Sequence, residues 1–131
     1  MNQIMSPYEI AELVISVTGQ MDSLFNYWMS ASFAVIVSSY IGKDHFNYSI
    51  TLSISVLYVL ASVMFVARYF AMGTLILYYT ELAGSALPPQ FIAASPIIGI
   101  TRVPTFVLGF IVTEVYLWLS YRRNKRLAQN V

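Results

Sequence analysis

Three long apolar stretches constrain this chain more than any other feature: Leu24 to Ile41, Ser49 to Phe70 and Val103 to Tyr121. A helix that crosses a lipid bilayer needs about 20 consecutive, mainly apolar residues, and each stretch is of that order. The first has no charged side chain, the second has Arg68 near its end, and the third has Glu114. A greasy soluble helical protein would also contain such runs, so composition arbitrates. Of 131 residues, 58% are hydrophobic and 10% charged, whereas an ordinary soluble domain carries about 25% charged residues. Too few charges remain to coat a water-soluble surface. The expected fold is all-α. It is a single domain over residues 1–131, a polytopic membrane protein with a bundle of three transmembrane helices and a basic tail at 122–131.

The stretch from Ala86 to Thr101 is apolar too, but it contains Pro88, Pro89 and Pro96. Proline inside a helix removes a hydrogen bond and clashes with the preceding turn. A loop with a short helical end, lying in the membrane interface, is expected there, and a fourth span is not.

Charge distribution gives an orientation. Four of the seven basic residues are Arg122, Arg123, Lys125 and Arg126, while Glu9, Glu12 and Asp22 lie near the start. Lys and Arg close to span ends favour the cytoplasmic side. The expected localisation is therefore the cell membrane, multi-pass, with the C-terminus cytoplasmic and the N-terminus outside. The turn with Lys43 and His45 then falls inside, and the proline-rich stretch outside. A basic tail can also bind nucleic acid, but a few bases beside an apolar helix more often mark a membrane face. Tyr27, Trp28, Tyr69, Trp118 and Tyr121 lie near span ends, as an aromatic belt would. The first residues lack the basic region of a cleavable leader.

The helices are expected to outrun the membrane. Ser6-Pro7-Tyr8-Glu9 is a helix start, with Ser6 as cap, Pro7 in the first turn and Glu9 closing a capping box. From there Ile10, Leu13, Val14, Val17, Met21, Leu24 and Phe25 recur at helical spacing. A second helix is expected from about Tyr48 to Ala83, stopped by Gly84. Each would be roughly 50–55 Å long at 1.5 Å per residue, against about 30 Å of hydrocarbon. An antiparallel hairpin would bring Ser6 and Gly84 to one height beyond the bilayer. Ser95-Pro96 is a start signal for the third helix, which Pro104 would kink and which could continue through the basic tail.

Among polar residues Glu114 stands apart. Apolar neighbours flank it, and it lies two helical turns before Arg122, roughly 12 Å by helical rise. Ionisable groups at such depth usually face the bundle interior or a wet cavity. Glu114 is thus a candidate proton- or ion-binding site, or a packing site in which serines or tyrosines hydrogen-bond the carboxyl. Partners are available. Glu12, Ser16, Gly19, Ser23, Asn26, Ser30, Ala34 and Ser38 form one stripe, and Thr51, Ser55, Tyr58, Ser62, Tyr69, Gly73 and Thr80 another. Small and hydroxyl residues let membrane helices approach closely and bond across. Ser30, Ser55 and Ser62 are the candidate partners of Glu114. Plain helix packing is the simpler role for both stripes, and a water-lined path the other.

Asp22 and Arg68 are equally far from the turn, so a hairpin could pair them, with Arg102 at the same level. They form a candidate outer-face ion pair, either an anion or headgroup site or snorkelling anchors of helix ends. His45 is the only histidine and cysteine is absent, which removes thiolate chemistry and leaves no metal-ligand pattern. No glycine-rich phosphate loop or catalytic constellation is present. No enzyme activity, cofactor, metal site or nucleic-acid partner is expected.

The outer segments, with Ile10, Leu13, Val14, Leu75, Ile76, Leu77, Phe91 and Ile92, are apolar enough to need cover. The expected function is that of a non-catalytic small integral membrane protein in an assembly, a homo-oligomer or an accessory subunit of a larger membrane complex. Its partners would be the lipid bilayer and copies of itself or other membrane subunits. The alternative is an oligomeric channel, pore or proton-coupled transporter that uses Glu114. Three spans, an outside N-terminus and a basic tail are similar in organisation to class I phage holins, a resemblance of topology alone.

Overall fold

Local chemistry at the helix ends explains where each element starts and stops. A computed structural model describes residues 5–42, 45–84, 87 and 89–129, with side chains of 89–96 and 127–129 left out of the description. The first helix, α1, spans Pro7–Ile41. Ser6 caps it: the Glu9 N–H donates to the Ser6 hydroxyl at 3.3 Å, and the Ser6 N–H donates to Glu9 Oε2 at 2.7 Å. This closes the capping box and satisfies two N-terminal donors reciprocally. The helix stops at Gly42, whose N–H donates to the Ser38 carbonyl at 2.8 Å. A Cβ at Gly42 would lie 2.9 Å from the Phe46 ring and 3.0 Å from that carbonyl, so the turn is tight enough to exclude a side chain.

The second helix, α2, spans Tyr48–Ala83, capped by Asn47, whose Oδ1 accepts from the Ile50 N–H at 2.9 Å. It ends at Gly84, the one described residue with positive φ, +53°, a conformation open to glycine without a Cβ penalty. The third helix, α3, spans Pro89–Gln129. Helix thus replaces loop over most of the Ala86–Thr101 stretch, and it starts well before Ser95-Pro96. Proline is tolerated at the first helical position because the N–H it lacks would be unsatisfied there anyway. Beyond that, α3 runs through Pro96 and Pro104 without a break, and through the basic cluster. Lys43, Asp44, Ala86, Pro88 and the side chains of Phe91 and Ile92 fall outside the described residues.

α1 and α2 form an antiparallel hairpin, and α3 leans on both, more on α1 than on α2. The first turns of α1 meet the last turns of α2: Ala11 and Val14 pack with Ala83 and Leu87, flanked by Ile10, Ile76 and Tyr79. The two helices match in length, 35 and 36 residues, so the hairpin closes with level ends. Midway, Trp28, Tyr58 and Phe65 form an aromatic core with Phe25, Phe106 and Phe110 around it. On α2 the buried positions Thr51, Ser55, Tyr58, Ser62 and Phe65 alternate steps of four and three. That is the seam of nearly parallel helices in close packing.

Polarity is inverted relative to a water-soluble domain. Ser32, Ser39, Thr51, Ser55, Ser62 and Thr113 are buried, while Leu57, Met64, Phe70, Leu108 and Ile111 are exposed. Pro7–Ile41, Tyr48–Ala83 and Ile97–Arg126 are each long and apolar enough to cross a membrane.

Candidate functional site

The polar face of α2 is buried between its neighbours, and its hydroxyls serve both of them. Ser55 donates to Glu114 Oε2 of α3 at 2.8 Å. One turn further, the Tyr58 hydroxyl and Ser32 Oγ of α1 are 2.7 Å apart. Ser32 donates to the Trp28 carbonyl at 3.0 Å, so its single proton is engaged and Tyr58 is the donor. Next, Ser62 accepts from the Trp28 indole N–H at 3.2 Å. Thr51, also buried, turns its hydroxyl back to the Asn47 carbonyl at 2.9 Å.

Glu114 is incompletely satisfied. Oε2 has the Ser55 hydroxyl, but Oε1 is buried with no hydrogen-bond partner among the described residues. A buried polar atom without a partner is uncommon in folded proteins and calls for an explanation. The side chain as a whole is half-buried. Of the three serines named as its partners, Ser55 contacts it and Ser62 holds Trp28. Ser30 is exposed on α1, donating to the Asn26 carbonyl at 2.9 Å.

The two stripes read from the sequence have opposite fates. Thr51, Ser55, Tyr58 and Ser62 are buried in the seam, whereas Glu12, Ser16, Gly19, Ser23, Asn26, Ser30, Ala34 and Ser38 are all exposed. α1 packs through another face, with Ala11, Val14, Met21, Trp28, Ser32 and Ser39 inward. Trp28 departs furthest from its reading as a belt residue. It is buried, with ring centroids 4.5 Å from Phe106 and 5.8 Å from Phe65. Gly109 makes room for it, because a Cβ there would lie 2.7 Å from Trp28 Cη2. Sequence offered one usable signal for this core, the need of an indole N–H for a buried partner and a serine stripe to supply it. Tyr27 stays exposed, and Trp118 joins Tyr48 and Tyr121 in a cluster near the other end, 6.3 Å and 6.0 Å between centroids.

At the level of Asp22 the ion pair forms with Arg102 of α3, not with Arg68. Arg102 also lies over the Phe25 ring at 5.9 Å. Arg68 is exposed and lines a depression with Ser16, Gly19, Gln20, Ser23, Tyr27 and Met72. Counting from the turn gave the right height but not the direction around the helix. Successive residues are about 100° apart, and Asp22 points to the α3 side while Gly19 and Ser23 border Arg68.

Among the described residues no three His, Cys, Asp or Glu side chains converge as metal ligands. The arrangement offers a carboxyl with one hydroxyl donor and one open oxygen, set in a seam of hydroxyls and aromatic rings. It can bind a proton or a small cation, and it ties α3 to α2. No family model matches this sequence, and neither curated proteins nor solved structures give a match.

Proposed function

We propose that this chain is a three-span integral membrane protein of the cell membrane, N-terminus outside and basic tail inside, and that it works as a non-catalytic member of an assembly. The assembly is made of its own copies or of other membrane subunits. The observation that carries this reading is the exposed polar face of α1. Ser23 and Ser30 satisfy their hydroxyls on the Gly19 and Asn26 carbonyls, but the Asn26 amide has no such bond within the described contacts and faces outward. In hydrocarbon an unpaired amide is costly. Asn, Ser and small residues on a membrane helix satisfy themselves best against a second helix, which Gly19 and Ala34 let approach closely.

The absence of cysteine makes the test clean, since single-cysteine variants need no engineered background. Ser30→Cys should give a disulfide-linked species in native membranes, of the dimer or of a mixed complex, and Leu57→Cys on the exposed apolar side of α2 should not. The native mass in nanodiscs should be at least twice the 14.8 kDa monomer, or another subunit should copurify. A strictly monomeric protein without cross-links would sink the proposal.

A second reading, an oligomeric channel, pore or proton-coupled carrier, is favoured by the buried, half-satisfied carboxyl of Glu114. Ion or proton flux through liposomes, present in the wild type and lost in Glu114→Gln at unchanged native mass, would select it.

A further inference from the structure

We infer that Glu114 is a membrane-embedded proton-binding carboxyl: Oε1 takes the proton while Oε2 accepts the Ser55 hydroxyl. The inference rests on the three-span reading above and adds a ligand to it, the proton.

Geometry supplies the argument. Among the described residues Oε1 is buried without a partner, and Ser55 supplies the one side-chain donor, 2.8 Å from the other oxygen. An ionised carboxylate in this place would be short of both donors and countercharge. Among the described residues no basic side chain forms an ion pair with it. Within α3, Arg102 and Arg122 are roughly 18 Å and 12 Å away by helical rise, and on α2 Arg68 is roughly 20 Å beyond Ser55. α1 carries no charge from Ser23 to Gly42, and α2 none from Tyr48 to Ala67.

Within these uncharged stretches, and between Arg102 and Arg122 of α3, the titratable groups besides Glu114 are phenols. Tyr58 is committed to Ser32, Tyr48 and Tyr121 pack with Trp118, and Tyr27, Tyr40 and Tyr116 complete the set on α1 and α3. His45 is exposed at the turn. A proton on Oε1 removes the buried charge and leaves Oε2 as a neutral acceptor for Ser55, which matches the one bond observed.

A hydrophobic carbodiimide tests this, because it partitions into lipid and reacts with the protonated acid. The acid O–H adds across one C=N bond: its proton goes to nitrogen and the carboxyl oxygen bonds the central carbon. The acyl group then migrates to nitrogen, giving a stable N-acylurea with nothing lost. The full chain in liposomes is treated with dicyclohexylcarbodiimide at neutral pH and mapped by peptide mass spectrometry, after alkaline carbonate extraction has established that it is integral.

Glu114 should be modified at least about tenfold faster than the exposed Glu9, Glu12 and Glu81, and more slowly as pH rises. Glu114→Gln should lose the adduct. Ser55→Ala should keep it but move the infrared carbonyl stretch of the protonated acid to higher frequency, as expected when its hydrogen bond is lost. An integral protein with Glu114 unmodified at neutral pH would overturn the proton site alone. So would labelling suppressed by sodium or potassium at fixed pH, which would reassign the site to a metal cation. Extraction by carbonate would overturn the three-span reading and the proton site with it.

Discussion

Gly109 and Trp28 show how a single position sets the spacing of this bundle. The indole is pinned on three sides, by the Ser62 hydroxyl and by the rings of Phe65 and Phe106, so it cannot swing aside for a Cβ that would lie 2.7 Å from its tip. Gly109→Ala should therefore push α3 off the hairpin and cost about 1–3 kcal/mol, as overpacking does. Gly73, where an added Cβ meets nothing within 4 Å, is the control. Gly73→Ala should be neutral or slightly stabilising, since alanine is the better helix former. Thermal unfolding in detergent, followed by tryptophan fluorescence, measures both. Equal stability of the two variants would show that the indole is free to move.

At the scale of elements, α1 and α3 are joined by Trp28 on Gly109 and Phe106, and by Arg102, which pairs with Asp22 and lies over Phe25. The pair is half exposed at Asp22, 52%, and 15% exposed at Arg102, so its worth is that of a surface salt bridge, about 0.2–1 kcal/mol. A double-mutant cycle of Asp22→Asn with Arg102→Gln should show a coupling of that order. The same cycle with Arg68→Gln should be additive within about 0.3–0.5 kcal/mol. Coupling to Arg68 instead would place α2 differently around α1. The inward faces follow the same logic. Without a hydrophobic drive between helices in lipid, packing rests on close contact, aromatic stacking and cross-helix hydrogen bonds. α2 supplies those bonds to both neighbours through Ser55, Tyr58 and Ser62.

For the molecule as a whole, the inverted polarity and the asymmetric charges argue together. Many large apolar side chains face out while Ser32, Ser39, Thr51, Ser55, Ser62 and Thr113 are buried, an arrangement that water would penalise and lipid favours. The basic cluster from Arg122 to Arg126 continues α3 as helix, so the charges extend directly from the apolar segment; in the proposed orientation the cytoplasmic leaflet would hold them. A reporter active only in the cytoplasm should function when fused after Val131 and fail when fused before Met1. A cytoplasmic N-terminus would require an even number of spans and would remove the three-span proposal.

Length, hydropathy and end signals by themselves determined the helices. The capping box at Ser6 and Glu9, the stop at Gly84, and the matched lengths of the hairpin are all local facts, because a helix end is satisfied by residues within one turn of it. The same signals misjudged the start of α3, since proline is read as a breaker until its place in the first turn is known. What only the tertiary structure decided is direction around each helix. Two stripes of small and polar residues look alike in the sequence, yet Thr51, Ser55, Tyr58 and Ser62 of the α2 stripe are buried and the α1 stripe is exposed. Asp22 turns to Arg102, and Trp28 turns inward. A helix repeats every 3.6 residues whatever surrounds it, so periodicity defines a face but not the neighbour it meets. That choice came from the fit of Trp28 against Gly109 and of Ser55 against Glu114, contacts between residues far apart in the chain.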